Sequence, residues 1–397
     1  MSRLRELMEE LCPDGVEYKK LGDVVSVCRG VRVVRAELQL LGKYPVYQNS
    51  LIPMGYYDKE NCIAGTAFII GAGAAGDIGY SDVPFWAADD CFYFVCEDNM
   101  NARFLYYVLV GQETFIKGKV RKASIPRLSR NVVEKMIIPV PPLEIQNEIV
   151  KLLDNFTKLT SELTAELTLR KKQYNFYRDS LLNFVRVDDT IVQTDRQTDR
   201  QAQRISNFGL CRKEFKVEWK TLGEVCTLVS GGDVPKEAFS QCLTGVYNIP
   251  IYSNGIKGKD LYGFTNVPRI TQPCVTIAAR GTIGYSALRM KPFYPVIRLI
   301  CAIPCEVVDV KYLFYILQMT AFKTPRTGIP QLTIPMVRCY PIPVPPLEIQ
   351  KKIVSILDRF DALCNDLTSG LPAEIAARKR QYEHYRDKLL TFPRING

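Results

Sequence analysis

The sequence has little of what catalytic and metal-binding proteins commonly use. It contains one histidine, His384, and although it has 13 cysteines, no two of them form a Cys-x-x-Cys pair. The closest spacings are Cys91 with Cys96 and Cys301 with Cys305. We therefore interpret the cysteines as small buried hydrophobic residues and predict no metal site.

Long apolar runs are also missing. No stretch approaches the ~20 apolar residues that a membrane-spanning helix requires. The first residues, 1–7, are charged and amphipathic, unlike a secretory signal. These absences predict a cytoplasmic protein. The net charge of +10 suits an anionic partner, but it suits plain solubility equally well.

Recognisable catalytic motifs are absent too. The sequence has no Gly-x-x-x-x-Gly-Lys-Ser/Thr phosphate loop and no Asn/Asp-Pro-Pro-Tyr/Phe motif of the adenine methyltransferases. The segment Gly71–Gly76 has the glycine spacing of a dinucleotide-binding loop, but no evident helix follows it. We interpret this segment as a turn between strands and nominate no catalytic residue.

What the sequence does contain is a long internal repeat. Ile138–Gln146 returns letter for letter as Ile342–Gln350, and Val16–Val24 returns in outline as Val217–Val225. Because both landmarks return after about 200 residues, the repeated unit is a whole half-chain. The pattern predicts a duplicated domain followed each time by a helix.

Each copy of the proline-rich motif opens a helical pattern, from Leu143 and from Leu347, because proline is tolerated at a helix start. Apolar residues then follow in alternating steps of three and four, the spacing of a coiled-coil seam. Gly370 and Pro372 predict an interruption of the second helix near Leu371. The predicted packing residues of the two helices are Ile149, Leu152, Phe156, Leu163, Leu167, Ile353, Ile356, Phe360 and Leu367.

Between these landmarks, short apolar runs separated by glycine-rich turns indicate strands in a mixed α+β domain. A polar segment with few apolar residues to bury indicates a flexible linker between the halves. The predicted segments are an N-terminal helix and first domain, 1–142; a central helix, 143–184; the linker, 185–210; a second domain, 211–346; a C-terminal helix, 347–392; and a tail, 393–397.

Basic residues cluster around equivalent turns in the two copies, and polar residues follow equivalent strands. Basic side chains on loops suit phosphate contacts, while Asn, Gln and Ser can read base edges. A solvated charged surface is the alternative interpretation. The candidate DNA-binding residues are Gln48, Asn49, Lys117, Lys119, Arg121, Lys122, Arg127, Arg130, Ser253, Asn254, Lys323, Arg326, Gln331 and Arg338.

Taken together, these features resemble the specificity subunits of type I restriction-modification systems, in particular members with tetrapeptide repeats in the spacer helix. The resemblance rests on the tandem halves, the Pro-Pro-Leu-Glu-Ile-Gln helix starts, the Thr-Ser/Ala-Glu-Leu tetrapeptides and the Arg-Lys-x-Gln-Tyr-x-x-Tyr-Arg-Asp helix ends. It implies an α+β fold with two tandem mixed α/β target recognition domains. Two long helices, forming an antiparallel coiled coil with pseudo-twofold symmetry, would separate these domains.

The resemblance also implies the partners. Each domain would read one half of a bipartite double-stranded DNA target. The chain would be a non-catalytic subunit that recruits two methyltransferase (M) subunits and restriction/translocase (R) subunits, and so directs adenine methylation or restriction. S-adenosylmethionine, ATP and Mg would belong to those partners, with no cofactor bound by this chain and no membrane partner.

A tandem tetrapeptide, Thr160–Leu163 followed by Thr164–Leu167, lies inside the first helix. It inserts an extra four-residue step into the apolar stripe, a stutter that locally unwinds a coiled coil. One tetrapeptide corresponds to ~6 Å of helix and ~40° of rotation, whereas one base-pair step is ~3.4 Å and about 36°. We therefore hypothesise that the tetrapeptides set the spacing between the half-sites.

Other interpretations stay open at this point. A non-sequence-specific coiled-coil scaffold or adaptor would hold partner proteins without reading DNA sequence. A degenerate specificity subunit would be inactive. An enzyme fused to a coiled coil would show activity as the purified chain alone.

Overall fold

The computed structural model describes residues 2–122, 124–184, 217–256, 258–324, 330–366 and 368–395. The chain forms two compact units. Unit 1 comprises Met1–Ala165 and Ala373–Gly397, and unit 2 comprises Glu166–Pro372. Each unit therefore combines a sheet-rich part with segments of the long helices. The predicted linker 185–210, Arg326 and Leu367 lie outside the described residues.

Unit 1 contains two larger sheets and one strand pair. The strands are β1 (Tyr18–Lys20), β2 (Val25–Arg29), β3 (Tyr44–Tyr47), β4 (Gly55–Tyr57), β5 (Thr66–Ile70), β6 (Ile78–Ser81), β7 (Trp86–Ala87), β8 (Cys91–Cys96) and β9 (Ile137–Pro139). The helices are α1 (Ser2–Leu11), α2 (Leu21–Val24), α3 (Ala102–Gly111), α4 (Glu113–Gly118), α5 (Arg130–Glu134) and the first part of α6 (Leu143–Leu182), with a short 3-10 helix at Arg35–Glu37. The strand orders are β2-β8-β5-β6, β4-β3-β7 and β1-β9, and every pair is antiparallel except β3 with β7.

Unit 2 repeats this arrangement strand for strand. Its strands are β10 (Glu218–Thr221), β11 (Cys226–Ser230), β12 (Ile249–Tyr252), β13 (Leu261–Thr265), β14 (Cys274–Ala278), β15 (Ser286–Arg289), β16 (Tyr294–Pro295), β17 (Leu299–Pro304) and β18 (Pro341–Val344). Its helices are α7 (Leu222–Val225), α8 (Val310–Met319), α9 (Ile334–Arg338) and α10 (Leu347–Asn365), with a 3-10 helix at Lys236–Ala238; α11 (Leu371–Leu389) leads back into unit 1. The strand orders are β11-β17-β14-β15, β13-β12-β16 and β10-β18. The sequence repeat is therefore a structural duplication.

Strand β5 shows why each domain needs continuous apolar runs. Ala67 and Ile69 face the core around α3, while Phe68 and Ile70 face a second cluster that contains Phe85. Successive side chains of a strand point to opposite faces, so a strand buried on both faces must be apolar throughout. The strands predicted here and at β14 are confirmed.

Both long helices begin at the residues that the proline-rich motif predicted as helix starts. Helix α6 starts at Leu143 and α10 at Leu347, directly after the proline pairs. The predicted interruption is also present, because α10 ends at Asn365 and α11 begins at Leu371.

Within unit 2, the end of α6 packs antiparallel to α10. Burial raises the pKa of the Cys364 thiol of α10, and the nearby positive charges of Lys171 and Arg170 of α6 oppose this rise. Further along α6, the Tyr177 ring lies 5.3 Å from the Phe360 ring. As residue numbers rise along α6, those of the neighbouring residues on α10 fall. The two helices are therefore antiparallel, as predicted.

Within unit 1, the start of α6 packs on α11. The Phe156 and Tyr385 rings stack with their centroids 5.4 Å apart. On another side of α6, Ile145, Ile149 and Leu153 are fully buried in the domain core. The helix therefore buries two stripes, one against the domain and one against the second helix.

The predicted packing residues divide between the two stripes: Phe156 and Phe360 contact the other long helix, whereas Ile149 and Ile353 lie in the domain cores. Leu153 and its counterpart Leu357 are fully buried although the seam pattern did not include them, and Leu159 is 47 % exposed. A seam spacing describes one partner only, so it misses residues that face the domain. Ile149 and Ile353 are buried, and those half-buried are Leu152, Phe156, Leu163, Leu167, Ile356 and Phe360.

The cysteines within the described residues are buried, half-buried or exposed. Several are buried thiols as predicted, and burial raises the pKa of Cys62 to about 12, so that thiol stays protonated. The interpretation is wrong for Cys242, Cys305 and Cys339, which are exposed. In the described part of the chain, no helix has the length and apolarity needed to span a membrane. The same residues contain no group of three or more His, Cys, Asp or Glu side chains placed to hold a metal ion.

Candidate nucleic-acid interface

The glycine-rich segment between β5 and β6 is a tight turn, as the sequence predicted. Gly73 and Gly76 have φ angles of +85° and +89°, which L side chains rarely adopt. A Cβ atom at Gly73 would lie 2.8 Å from the Cβ atom of Asn49. Glycine here lets the turn lie directly against the loop that follows β3.

Backbone hydrogen bonds join this turn to two predicted DNA-binding segments. The Ala74 amide donates to the Asn49 carbonyl at 2.9 Å. The Gly73 amide donates to the Pro126 carbonyl at 3.2 Å, next to Arg127. The polar loop, the glycine turn and the basic loop, far apart in sequence, thus form one surface.

A cleft of about 740 Å³ opens on this surface of unit 1. Lys119, Arg121 and Arg127 line it, all from the predicted set, together with Arg29. Asp89 and Asp90 lie in the same wall, so the basic cleft has an acidic patch. Such a mixture can attract phosphate oxygens and also accept hydrogen bonds from base amino groups.

Gln48 is held against the acidic patch. Its Nε2 donates to Asp89 Oδ1 and to Asp90 Oδ2, each at 3.4 Å. Arg29 Nε donates to the Asp89 carbonyl at 2.8 Å. The amide of Gln48 is therefore oriented by protein groups, whereas Asn49 is exposed.

Other predicted basic residues of unit 1 are already paired. Lys117 Nζ lies 3.0 Å from Asp77 and 2.6 Å from Glu113, and these hydrogen bonds raise the pKa of Lys117. Arg130 forms an ion pair with Glu134 at 2.7 Å, although it also lines the cleft. Paired charges have less to gain from a phosphate than unpaired ones.

Unit 2 brings the equivalent segments together. Asn254 Nδ2 donates to the Arg280 carbonyl at 2.5 Å, and Thr282 donates to the Asn254 carbonyl. Arg280 forms an isolated β-bridge with Gln331. Gly281, with φ +78°, occupies the place of the first left-handed glycine of the unit 1 turn.

The remaining predicted residues of unit 2 lie around this surface. Ser253 is half-buried, and its amide donates to the Asp260 carbonyl at 2.7 Å. The Lys323 side chain is exposed. Arg338 packs its aliphatic stem over Gly223 of α7, where an added Cβ would meet Arg338 Cγ at 2.2 Å. A DNA contact by any of these side chains, or by the exposed Lys122, stays a prediction.

The comparison with known families decides what this duplicated surface belongs to. A family model described as the type I restriction modification DNA specificity domain matches residues 13–170 and 216–377. The chain belongs to this family. Its role is therefore DNA recognition, as the specificity subunit of a type I restriction-modification complex.

Individual relatives agree with the family. A putative type I specificity subunit of Mycoplasma pneumoniae is 30 % identical over 376 residues, covering 93 % of this chain and 96 % of that protein. The specificity subunit of an Escherichia coli type I restriction enzyme is 33 % identical over 328 residues, covering 75 % and 73 %. The crystal structure of a type I specificity subunit from M. genitalium has the same fold, with a TM-score of 0.64 at 17 % identity over 95 % of this chain and 96 % of that chain.

Sequence reasoning missed the glutamine that anchors each reading domain to its helix. In this specificity subunit Gln146 is fully buried, and its Oε1 accepts from the Asn101 amide at 2.8 Å. Its Nε2 donates to the Asn99 and Pro141 carbonyls at 2.9 and 2.7 Å. The start of α3 and the start of α6 are thereby joined through one side chain.

Gln350 repeats this anchor in unit 2. Its Oε1 accepts from the Asp309 amide at 2.9 Å, and its Nε2 donates to the Val307 and Pro345 carbonyls at 2.9 and 2.8 Å. The signal was present in the sequence, because the proline-rich repeat ends on this glutamine in both copies.

A second anchor lies eight residues, or about two turns, further along each long helix, at Asp154 of α6 and Asp358 of α10. In unit 1, Asp154 of α6 accepts hydrogen bonds from Tyr107 and, at 2.9 Å, from Arg103 Nε. In unit 2, Asp358 accepts from Tyr315 at 2.7 Å and pairs with the ammonium group of a lysine on α8 at 2.5 Å. Each domain of the specificity subunit is thus fixed on its own helix segment.

Proposed function

We propose that each unit reads one half of a bipartite DNA sequence and that partner subunits methylate adenine within it. The observation that carries this proposal is the duplication of the reading surface with different side chains. Asn49 and Arg127 each pair with the glycine turn of unit 1, while Asn254 and Gln331 each pair with Arg280 in the turn of unit 2. The two surfaces share a backbone arrangement but carry different side chains, so they suit two half-sites with different base sequences.

The chain itself would be non-catalytic. It would recruit two methyltransferase subunits and the restriction/translocase subunits, and these partners would bind S-adenosylmethionine, ATP and Mg. Two observations support this assignment. The sequence lacks the adenine methyltransferase motif, and the E. coli relative is named as the specificity subunit of a type I restriction enzyme. A further solved relative, with a TM-score of 0.55, comes from a study of type I complex assembly.

The test is to express the chain with its methyltransferase partner and map methylated adenines across the host DNA. We expect one split motif, present with the chain and absent without it. Methylation that spreads without sequence preference would instead identify a scaffold that only holds the partner on DNA. Methyl transfer by the purified chain alone would contradict the non-catalytic role.

A further inference from the structure

The two reading surfaces differ in the position of one arginine. In unit 1 an antiparallel β-bridge joins Ala72 of the glycine turn to Arg127 of the basic loop. In unit 2 the corresponding bridge joins Arg280 of the turn to Gln331 of the loop. The arginine therefore lies on the loop in one unit and on the turn in the other.

The two bridges are equivalent in hydrogen bonding as well as in sequence position. The residue after the loop member, Leu128 or Leu332, donates its amide to the residue before the turn member, Gly71 or Ala279. Both hydrogen bonds measure 2.8 Å. The difference between the units is thus one of side chains on a shared backbone.

Both guanidinium groups are available to a ligand. Arg127 is exposed and lines the cleft, and Arg280 is half-buried. Among the described residues, neither side chain has an ion-pair or hydrogen-bond partner, in contrast to Lys117 and Arg130. An unpaired arginine held by a fixed backbone suits a two-pronged contact with the O6 and N7 atoms of guanine.

We propose that Arg127 and Arg280 each contact a guanine in the major groove and that their exchange across the bridge makes the two half-sites differ. Facing residues of an antiparallel pair have Cβ atoms about 5 Å apart, compared with ~3.4 Å for a base-pair step. The exchange therefore moves the guanine-reading group far enough to reach a neighbouring base pair. This inference rests on the proposed reading of a split target, and it assigns the residues that distinguish its halves.

The experiment uses the full chain in complex with its methyltransferase partner and compares methylation motifs. In the wild type, each half-site contains a required guanine. Arg127→Gln lowers the preference for guanine over the other bases at one position of one half-site by on the order of tenfold or more. The other half-site stays unchanged. Arg280→Gln gives the reciprocal pattern.

A conservative variant separates reading from folding and from charge. Arg127→Lys keeps the positive charge but loses the planar fork, so it relaxes the same position while overall DNA affinity stays near the wild-type value. Arg3→Gln, on α1 and outside the cleft, is the matched control and leaves the motif unchanged.

Three results would overturn the inference: a half-site without a required guanine, an unchanged motif in Arg127→Gln, or an equal loss of methylation at all sites, which marks a phosphate contact. In each case a split wild-type motif still upholds the proposed function. A wild-type complex without any motif would refute the function itself.

Discussion

A buried amide must find its hydrogen-bond partners inside the protein, because water cannot reach it. Gln146 does so with three backbone groups, and its replacement by leucine would leave all three unpaired. We expect Gln146→Leu to lower the free energy of unfolding by about 2–4 kcal/mol. Urea denaturation of the full chain measures this value.

Gln39→Leu is the matched control for this prediction. Gln39 is exposed, and its side-chain amide donates only to the exposed Asp58 carboxylate, at 3.3 Å, while its backbone pairs with Tyr56 whatever the side chain. Its substitution should change stability by less than about 0.5 kcal/mol. Equal effects of the two substitutions would show that the buried amide does not anchor the domain.

The tyrosines of the repeated helix ends, Tyr174 and Tyr382, predict a pH dependence. Burial raises the pKa of each to about 12, whereas an unfolded tyrosine titrates near 10. Above pH 10 the unfolded chain releases protons that the folded chain retains, so stability falls as pH rises towards 12. By pH 11 the loss is about 1 kcal/mol for each tyrosine.

Urea denaturation at pH 8.5 and pH 11 tests this dependence. The double variant Tyr174→Phe with Tyr382→Phe should lose less stability between these values than the wild type. Tyr262→Phe, at a position 48 % exposed, should behave like the wild type. A double variant with the full wild-type decline would assign the alkaline loss to other groups.

The residues of the reading surface could be predicted by type but not by position. Asn49 and Arg127 have side chains that suit DNA contacts, but nothing in the sequence indicates that both lie against the same glycine turn. That proximity depends on a turn without side chains at Gly73, together with strand pairing over long sequence distances. The polar role of Gln146 was missed because burial is a property of the folded chain.

Among the elements, the break between α10 and α11 is built by local hydrogen bonds. Asp366 accepts from the Thr368 amide at 2.7 Å and from the Ser369 hydroxyl at 2.5 Å. These bonds lower the pKa of the Asp366 carboxyl well below its usual range. Gly370 completes the break, since a Cβ there would lie 2.5 Å from the Ala362 carbonyl oxygen.

Gly370→Ala should therefore destabilise the chain, because the added methyl group meets backbone rather than a flexible side chain. We expect a loss of about 1–3 kcal/mol in thermal or urea unfolding. Gly245→Ala is the control within the same unit, as a Cβ there would meet nothing within 4 Å. A neutral Gly370→Ala would mean that the break can shift without cost.

Helix starts and the helix break could be predicted because proline and glycine act on their immediate neighbours. The start at Leu143 and the break near Leu371 follow from residues within a few positions. Strand order is different, since β5 lies between β8 and β6 through pairings that no local pattern specifies. The seam pattern likewise found the helix partner of α6 but not its contact with the domain.

For the whole molecule, the division between the units inside α6 falls between Ala165 and Glu166. This point lies within the second tetrapeptide, Thr164–Leu167, where most side chains are exposed. Deleting Thr164–Leu167 should shorten the spacing between the methylated half-sites by about one base pair, because four residues span ~6 Å and turn ~40°. Mapping methylated adenines in the host DNA measures the spacing.

The control for the deletion keeps the length of the helix. Thr164→Ser should leave the spacing unchanged, since it removes no residue. A deletion variant that methylates the same split motif as the wild type would show that the tetrapeptide does not set the distance.

The closing segment of unit 1 is the last of its parts to leave the ribosome. Leu389 and Phe392 enter the core built by the first half of the chain, Tyr18 donates to the Phe392 carbonyl at 3.1 Å, and Val16 pairs with Arg394. During translation, the apolar surface of the first domain that Leu389 and Phe392 cover therefore stays exposed until unit 2 has been synthesised. A premature stop codon shortly after residue 372 would consequently damage the beginning of the protein rather than its end.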